Sequence, residues 1–336
     1  MPAKLLYMRE QVLCWGNGSR ISCEEILSNT EHRTPNTEYR ITMFQPATIY
    51  LNGQFISKDK ACISPEDRGY YFADGVYEVI KYYKGNPFCL DEHFTRLRNS
   101  LAGIRITYTG VDKLGAICKA LIEANQLSDQ HAAVYIQITR GVSVRMHRFP
   151  SGDIMPTIYI RAFPMPPMLQ EMRSGIAVIT HKDIRWQMCH IKSIALLPNT
   201  LMFEEAAAQG AGECLLIRDG YFTEATHSNI LAVKKGILYT HPDSDLILPG
   251  ITKQVVFRIC RGINIQVAEE PIAASEIKEF NEWFITGTGS EILPVVKIDE
   301  LTIGNGKPGP VTRLLQREFF RITYEELAGE KVVTGD

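Results

Sequence analysis

The chain has 336 residues, 45% hydrophobic and 22% charged, which is ordinary for a globular protein and longer than one core usually serves. A formal net charge of −2 excludes the basic footprint of a nucleic-acid-binding surface or a polybasic membrane patch, and no apolar run is long enough to span a bilayer. The eight cysteines, at positions 14, 23, 62, 89, 118, 189, 214 and 260, have neither paired nor metal-ligand spacing, so free thiols in a reducing cytoplasm are expected, with no bound metal.

Residues 1–45 set Arg9, Arg20, Arg33 and Arg40 against Glu10, Glu24, Glu25, Glu31 and Glu38 and offer little for a core. They are expected to be a poorly ordered N-terminal extension, with Met43 as the natural start. From Ile49 to Ile56, two short apolar runs flank Asn52-Gly53, the pattern of a hairpin on a type I′ turn. The β-branched and aromatic run Gly75–Tyr83 predicts a strand that returns through Lys84-Gly85-Asn86 into Pro87–Leu90. Asp91 is placed to cap a helix whose Phe94, Leu97, Leu101 and Ile104 form one buried stripe, with Arg96 and Arg98 on its flanks. A second amphipathic helix over 111–125 and strands at 132–139 and 157–162 complete a smaller N-terminal α/β domain over 46–163. The run Phe163-Pro164-Met165-Pro166-Pro167 ends regular structure, so 164–173 reads as a linker. Beyond it, 174–330 is a larger β-rich domain with strands at 176–180, 214–218, 229–233, 237–240 and 283–285 and helices over 199–208 and 251–260. Residues 331–336 form a tail, and the fold class is α+β.

Chemistry concentrates in a few places. Lys192 is flanked by Ile191 and Ile194, where an ammonium loses part of its hydration and a neutral amine can attack an aldehyde. Glu224 supplies a carboxylate of the kind that holds a pyridinium proton. An anionic group finds donors at Leu248-Pro249-Gly250-Ile251-Thr252, ahead of a predicted helix, and in Thr286-Gly287-Thr288-Gly289-Ser290; each is equally a plain turn. In the loop Thr139–Pro150, Arg145 and His147 at alternate positions suit a carboxylate clamp, or simply solvate a basic loop. Tyr77 is either a packed strand tyrosine or a ligand group. A zinc site through His147, His190 and His227 is the alternative chemistry, but no helix-borne HxxxH or HxxE spacing supports it.

The segment Glu66-Asp67-Arg68-Gly69-Tyr70-Tyr71-Phe72-Ala73-Asp74-Gly75-Val76-Tyr77-Glu78-Val79, with Lys192, Glu224 and Leu248–Thr252, resembles the fold-type IV pyridoxal 5′-phosphate (PLP) enzymes. Within that class the chain is most similar to the D-amino-acid aminotransferases, from about residue 48 to about residue 322. The resemblance implies that Lys192 carries PLP as a Schiff base and moves the substrate proton, that Glu224 binds the pyridine nitrogen, and that Arg96, Ile251, Thr252 and Thr288 hold the phosphate. It implies that Tyr77, Arg145 and His147 trap the substrate α-carboxylate, with Arg145 and His147 supplied across the interface of a homodimer. The implied reaction is ping-pong transamination of a D-amino acid such as D-alanine with 2-oxoglutarate, giving a 2-oxo acid and D-glutamate. A lyase of the same fold, acting on aminodeoxychorismate or by β-elimination, and a non-catalytic PLP-binding protein are the other readings. Where the family has small hydroxyl residues after the glutamate, this chain has Ala225-Thr226-His227-Ser228, which puts an imidazole near the cofactor. Pro198 is expected at the first position of the helix that follows Lys192.

Overall fold

The computed structural model describes residues 47–329; the expected start at Met43 and the tail 331–336 lie outside them. Two sheets organise this α+β fold. The first is antiparallel, in the order β2-β1-β6-β5-β3-β4, where β1 is Thr48–Leu51, β2 Gln54–Ser57, β3 Gly75–Tyr83, β4 Asn86–Pro87, β5 His131–Thr139 and β6 Thr157–Pro164. Both expected hairpins form, though the second returns only through Asn86–Pro87 and not as far as Leu90. Asn52 and Gly53 take φ of 47° and 95°, the paired positive values a type I′ turn demands, and Lys84 and Gly85 do the same at 45° and 77°.

Helix α1 (Arg68–Phe72) precedes β3, and α2 (Leu90–Gly103) and α3 (Leu114–Ala124) cover one face of the sheet. Leu97, Leu101, Leu114, Cys118 and Leu121 pack there against Val76, Ile80, Val134 and Ile136. Side chains alternate along a strand, so Glu78 shares the helix-facing side of β3 with Val76 and Ile80, while Tyr77, Val79, Lys81 and Tyr83 face the other way. That second face meets the second sheet: Lys81 Nζ and the Tyr83 hydroxyl donate to Glu291 Oε1 at 2.6 and 2.8 Å.

Three expectations around the first sheet need correction. Helix α2 begins at Leu90, because Cys89 at φ 53° turns the chain out of β4 and acts as the N-cap; Asp91 instead lies in the first turn, where its charge still favours the positive helix end. Arg96 is no solvated flank but 7% exposed, drawn inward by Glu78. Strand β6 runs on to Pro164, tolerated because it is the last residue, and Leu169–Ser174 form a short helix, α4, inside the expected linker.

The second sheet has ten strands of mixed direction, ordered β12-β11-β10-β14-β15-β7-β8-β9-β13 with β16 beside β15. Its strands are β7 Ile176–Lys182, β8 Glu213–Arg218, β9 Tyr221–Ala225, β10 Asn229–Lys234, β11 Ile237–Thr240, β12 Val267–Glu269, β13 Ile272–Ala273, β14 Glu282–Gly287, β15 Glu291–Ile298 and β16 Leu301–Thr302. Helix α5 (Leu197–Ala208) starts one residue before Pro198, which therefore takes the second helical position rather than the first. Helices α6 (Ile251–Gly262) and α7 (Pro310–Phe320) bury Val255, Val256, Ile259, Leu315 and Phe319 against Leu231 and Phe284. Strand β15 escapes a reading by periodicity because its first five residues are all buried, so no polar alternation marks it. Cys118, Cys189, Cys214 and Cys260 are buried free thiols and Cys62 is an exposed one.

Candidate active site

A cavity of about 500 Å³ is lined by Tyr77 and Val79 of β3, by the Lys192 segment, and by residues of the second sheet and the start of α6. This size suits a cofactor with a small substrate. Backbone pairing sets the lysine: Tyr77 N donates to Lys192 O at 3.0 Å, Ile194 N to Gly75 O at 3.1 Å, and Val76 and Ser193 form an isolated bridge. The approach needs a glycine at 75, where a Cβ would sit 2.8 Å from Ile138 O and 3.0 Å from Ile194 Cδ1. The Ser100 hydroxyl accepts from Lys192 N at 3.1 Å, tying the segment to α2. Lys192 Nζ then lies 4.3 Å from the centre of the Tyr77 ring, which stacks on Tyr135.

Glu224, on β9, is 5% exposed and enters the same cavity. Asn229 Nδ2 and the Leu248 amide both donate to its Oε2 at 3.0 Å, and Arg185 Nη1 donates to Oε1. Burial pushes the Glu224 carboxyl above the ordinary carboxylate value, against the pull of Arg185 and the Leu248 amide. Arg185 is itself fixed by Asp183, whose two oxygens each accept from it at 2.9 Å, and by Leu246 O at 3.1 Å. Sequence reasoning missed Arg185 and Asn229; the available signal was the pair Asp183 and Arg185 within the lysine's own run, opposite charges two residues apart among apolar neighbours.

At the other end of the cavity, Ile251 and Thr252 open α6, whose cap residue Gly250 provides no side-chain cap. A Cβ on Gly250 would fall 1.8 Å from Asn229 Oδ1, so glycine here lets the helix start pack on the residue that holds Glu224. Arg96 Nη1 donates to Pro249 O at 3.0 Å, while Nε and Nη2 donate to the two oxygens of Glu78 at 2.8 Å. His93 Nδ1 lies 2.8 Å from the same carboxylate. Burial opposes ionisation of Glu78, yet the Arg96 guanidinium and His93 hold it well below the usual carboxylate range. Thr288 Oγ1 donates to Val79 O at 3.3 Å. The Ser228, Thr286 and Ser290 hydroxyls that line this end are buried without a hydrogen-bond partner. Buried hydroxyls normally find partners, and together with helix-start amides and Arg96 they form a donor set fitted to a multi-oxygen anion such as a phosphate.

Thus Lys192, Glu224, Arg96, Ile251, Thr252, Thr288 and Tyr77 share one cavity. Arg145 and His147 do not: both are exposed, Arg145 over the Phe72 ring at 5.3 Å and His147 5.4 Å from the same ring. Their loop is nonetheless anchored. Arg68 Nη1 donates to Met146 O at 2.7 Å, and Asp74 accepts from Arg68 Nε and Arg140 Nε, each at 2.7 Å. The three histidines of the zinc alternative have separate neighbours: His190 lies 2.9 Å from Asp245, His227 2.7 Å from Glu213, and His147 packs on Phe72.

Residues 75–298 match the family described as amino-transferase class IV. The chain belongs to this family. Among relatives of the class IV aminotransferase, the D-alanine aminotransferase of Bacillus licheniformis is 39% identical over 270 residues, 80% of this chain and 94% of that one. The D-alanine aminotransferase of Staphylococcus haemolyticus is 40% identical over 273 residues, 81% of this chain and 96% of that one. Among solved structures, the branched-chain amino acid aminotransferase of Escherichia coli superposes with a TM-score of 0.78 at 26% identity, covering 86% of this chain and 97% of that one. A second branched-chain amino acid aminotransferase, solved with pyridoxamine 5′-phosphate, gives a TM-score of 0.77 at 26% identity, covering 84% of this chain and 98% of that one. The fold is therefore shared with aminotransferases named for branched-chain substrates, and the stronger sequence likeness is to enzymes named for D-alanine.

Proposed function

We propose that this class IV aminotransferase exchanges an amino group between D-amino acids, such as D-alanine, and 2-oxoglutarate, with pyridoxal 5′-phosphate as cofactor. The observation that carries the reading is the meeting, in one cavity, of Lys192, Glu224 and the phosphate-fitted donors at the start of α6. When bound, the cofactor supplies an electron sink for the charge left at the substrate's Cα. Lys192 would anchor it, and its free amine, on the Tyr77 side of the cavity, would take the substrate's Cα proton and pass it to the cofactor. Glu224, backed by Arg185 and Asn229, would receive the ring nitrogen. Arg96, Ile251, Thr252 and Thr288 would hold the phosphate, with Ser228, Thr286 and Ser290 as further donors.

The Tyr77 hydroxyl, with Arg145 and His147 reaching in from a second copy of the chain, pins the α-carboxylate and so decides which hand presents its Cα hydrogen to Lys192. The active form is on this reading a cytoplasmic homodimer. The six-stranded and ten-stranded sheets are the cores of two domains, over 46–163 and 174–330, that close on the cofactor. Among the described residues no helix is long and apolar enough to cross a membrane. Supporting the D-amino-acid assignment is the identity of about two residues in five with enzymes named D-alanine aminotransferase. The test is a half-reaction: D-alanine, and not L-alanine, should convert the bound cofactor to its amine form, and 2-oxoglutarate should restore it with release of D-glutamate. Conversion by L-valine or L-leucine in place of D-alanine refutes the assignment.

A further inference from the structure

Beyond the residues placed above, the cavity wall carries His227. Its Nδ1 lies 2.7 Å from Oε2 of Glu213 on β8, a carboxylate that is itself fully buried. The other groups on Glu213 are neutral: the Cys214 amide at 2.9 Å, the Thr226 amide at 3.3 Å and the Thr226 hydroxyl. A buried carboxylate favours a counter-charge, and the His227 imidazole, once protonated, supplies it. The imidazole side chain is 58% exposed, its ring edge-on to Phe203 of α5 at 5.1 Å, so Nε2 remains available to the cavity while Nδ1 is held.

The other cations lining the cavity are committed. Arg96 is held by Glu78 and Pro249 O, Arg185 by Asp183, Glu224 and Leu246 O, and Lys192 is assigned to the cofactor. From this geometry we propose that His227, held by Glu213, is a specificity-determining residue that donates through Nε2 to the distal carboxylate of dicarboxylic substrates, D-glutamate and 2-oxoglutarate. The inference rests on the transaminase reading and adds to it the residue that distinguishes acidic from neutral side chains. Burial disfavours the imidazolium, but Glu213 outweighs it and raises the His227 pKa above the ordinary histidine value; Lys192, the other charged group facing it, opposes this.

The experiment compares kcat/KM for D-glutamate with that for D-alanine in the parent holoenzyme and in His227→Gln and Glu213→Gln. The expected result is a fall in the D-glutamate to D-alanine ratio of about five- to tenfold in His227→Gln, where a charge-assisted hydrogen bond becomes at most a neutral one. In the parent the ratio should decline as pH rises through the imidazolium's titration; in Glu213→Gln that decline should move to lower pH. A ratio in His227→Gln within threefold of the parent's overturns the proposal. A readout free of turnover is the His227 imidazole resonance, assigned by its loss in His227→Gln. Glutarate should raise the imidazole pKa and butyrate should not; equal shifts, or none, overturn the proposal. An enzyme that turns over neither D-amino acid defeats the functional reading, and the glutarate titration still decides His227.

Discussion

Replacing Arg185 by leucine removes the guanidinium that Glu224 shares with Asp183. The three side chains are 0–6% exposed, so no water replaces the lost charge. Asp183 keeps Arg218, whose Nη2 is 3.1 Å from its Oδ1. Glu224 keeps only two neutral donors, Asn229 and the Leu248 amide, and gains an unscreened carboxylate neighbour. Losing an opposite charge at contact distance raises a carboxyl pKa by about 1–3 units, which at about 1.4 kcal/mol per unit is about 1.5–4 kcal/mol. Burial already holds Glu224 above the ordinary value, so the variant shifts the carboxyl further toward its protonated form, which cannot stabilise a protonated pyridine nitrogen. Turnover on the acid limb of the pH–rate profile should fall about 10- to 1000-fold as that limb moves alkaline. Arg185→Lys, which keeps a charge but not the fork, should recover part of the loss. Breaking a buried pair also costs about 3–5 kcal/mol of stability, so rates are compared on protein shown to be folded by circular dichroism. If Arg185 acts through Glu224, then Arg185→Leu added to Glu224→Gln should cost little more than Glu224→Gln alone. A leucine variant with the parent's pH profile, or additive losses in the double variant, would sink the reasoning.

Borohydride reduction of the holoenzyme should fix the cofactor covalently to Lys192, identified by peptide mass spectrometry, and Lys192→Ala should take no label and lose transamination. Arg145→Ala removes a charge-assisted hydrogen bond worth about 1.5–3 kcal/mol, so KM for D-alanine should rise about 10- to 150-fold with kcat little changed; a kcat loss of the same size argues against a clamp acting alike on ground and transition states. Asp74→Ala strips the shared acceptor from Arg68 and Arg140 and so loosens the backbone at Met146 between the two clamp residues. It should raise KM in the same direction as Arg145→Ala and lower stability by about 3–5 kcal/mol, measured by urea denaturation. For Glu78, whose folded pKa is depressed below its ordinary 4.5, the contribution to stability is complete above that value and is lost as pH falls toward the folded pKa. The parent should therefore lose stability on acidification below pH 4.5 more steeply than Glu78→Gln, in unfolding followed by tryptophan fluorescence.

Local chemistry decided much of this protein before any tertiary contact. Asn52-Gly53 and Lys84-Gly85 can take paired positive φ, so the hairpins at both ends of the first sheet follow from short-range sterics. The strand β3 follows from its β-branched and aromatic run, and the stripe Phe94, Leu97 and Leu101 from helical periodicity. Lys192, Glu224 and the Leu248–Thr252 turn stood out in the sequence through the resemblance to fold-type IV enzymes, and folding brings Lys192, Glu224, Ile251 and Thr252 into one cavity. What the sequence could not decide is which charges meet across long separations. Arg96 reads as a solvated flank until Glu78, 18 positions earlier on a neighbouring strand, draws it inward. Arg185 gains a role only when folding brings Glu224 to it from 39 positions away. Strand β15 was hidden because full burial erases alternation. Turns and amphipathic elements are set by neighbours within a few residues. The pairing of buried charges is set by desolvation, which acts only once the two sheets have closed around them.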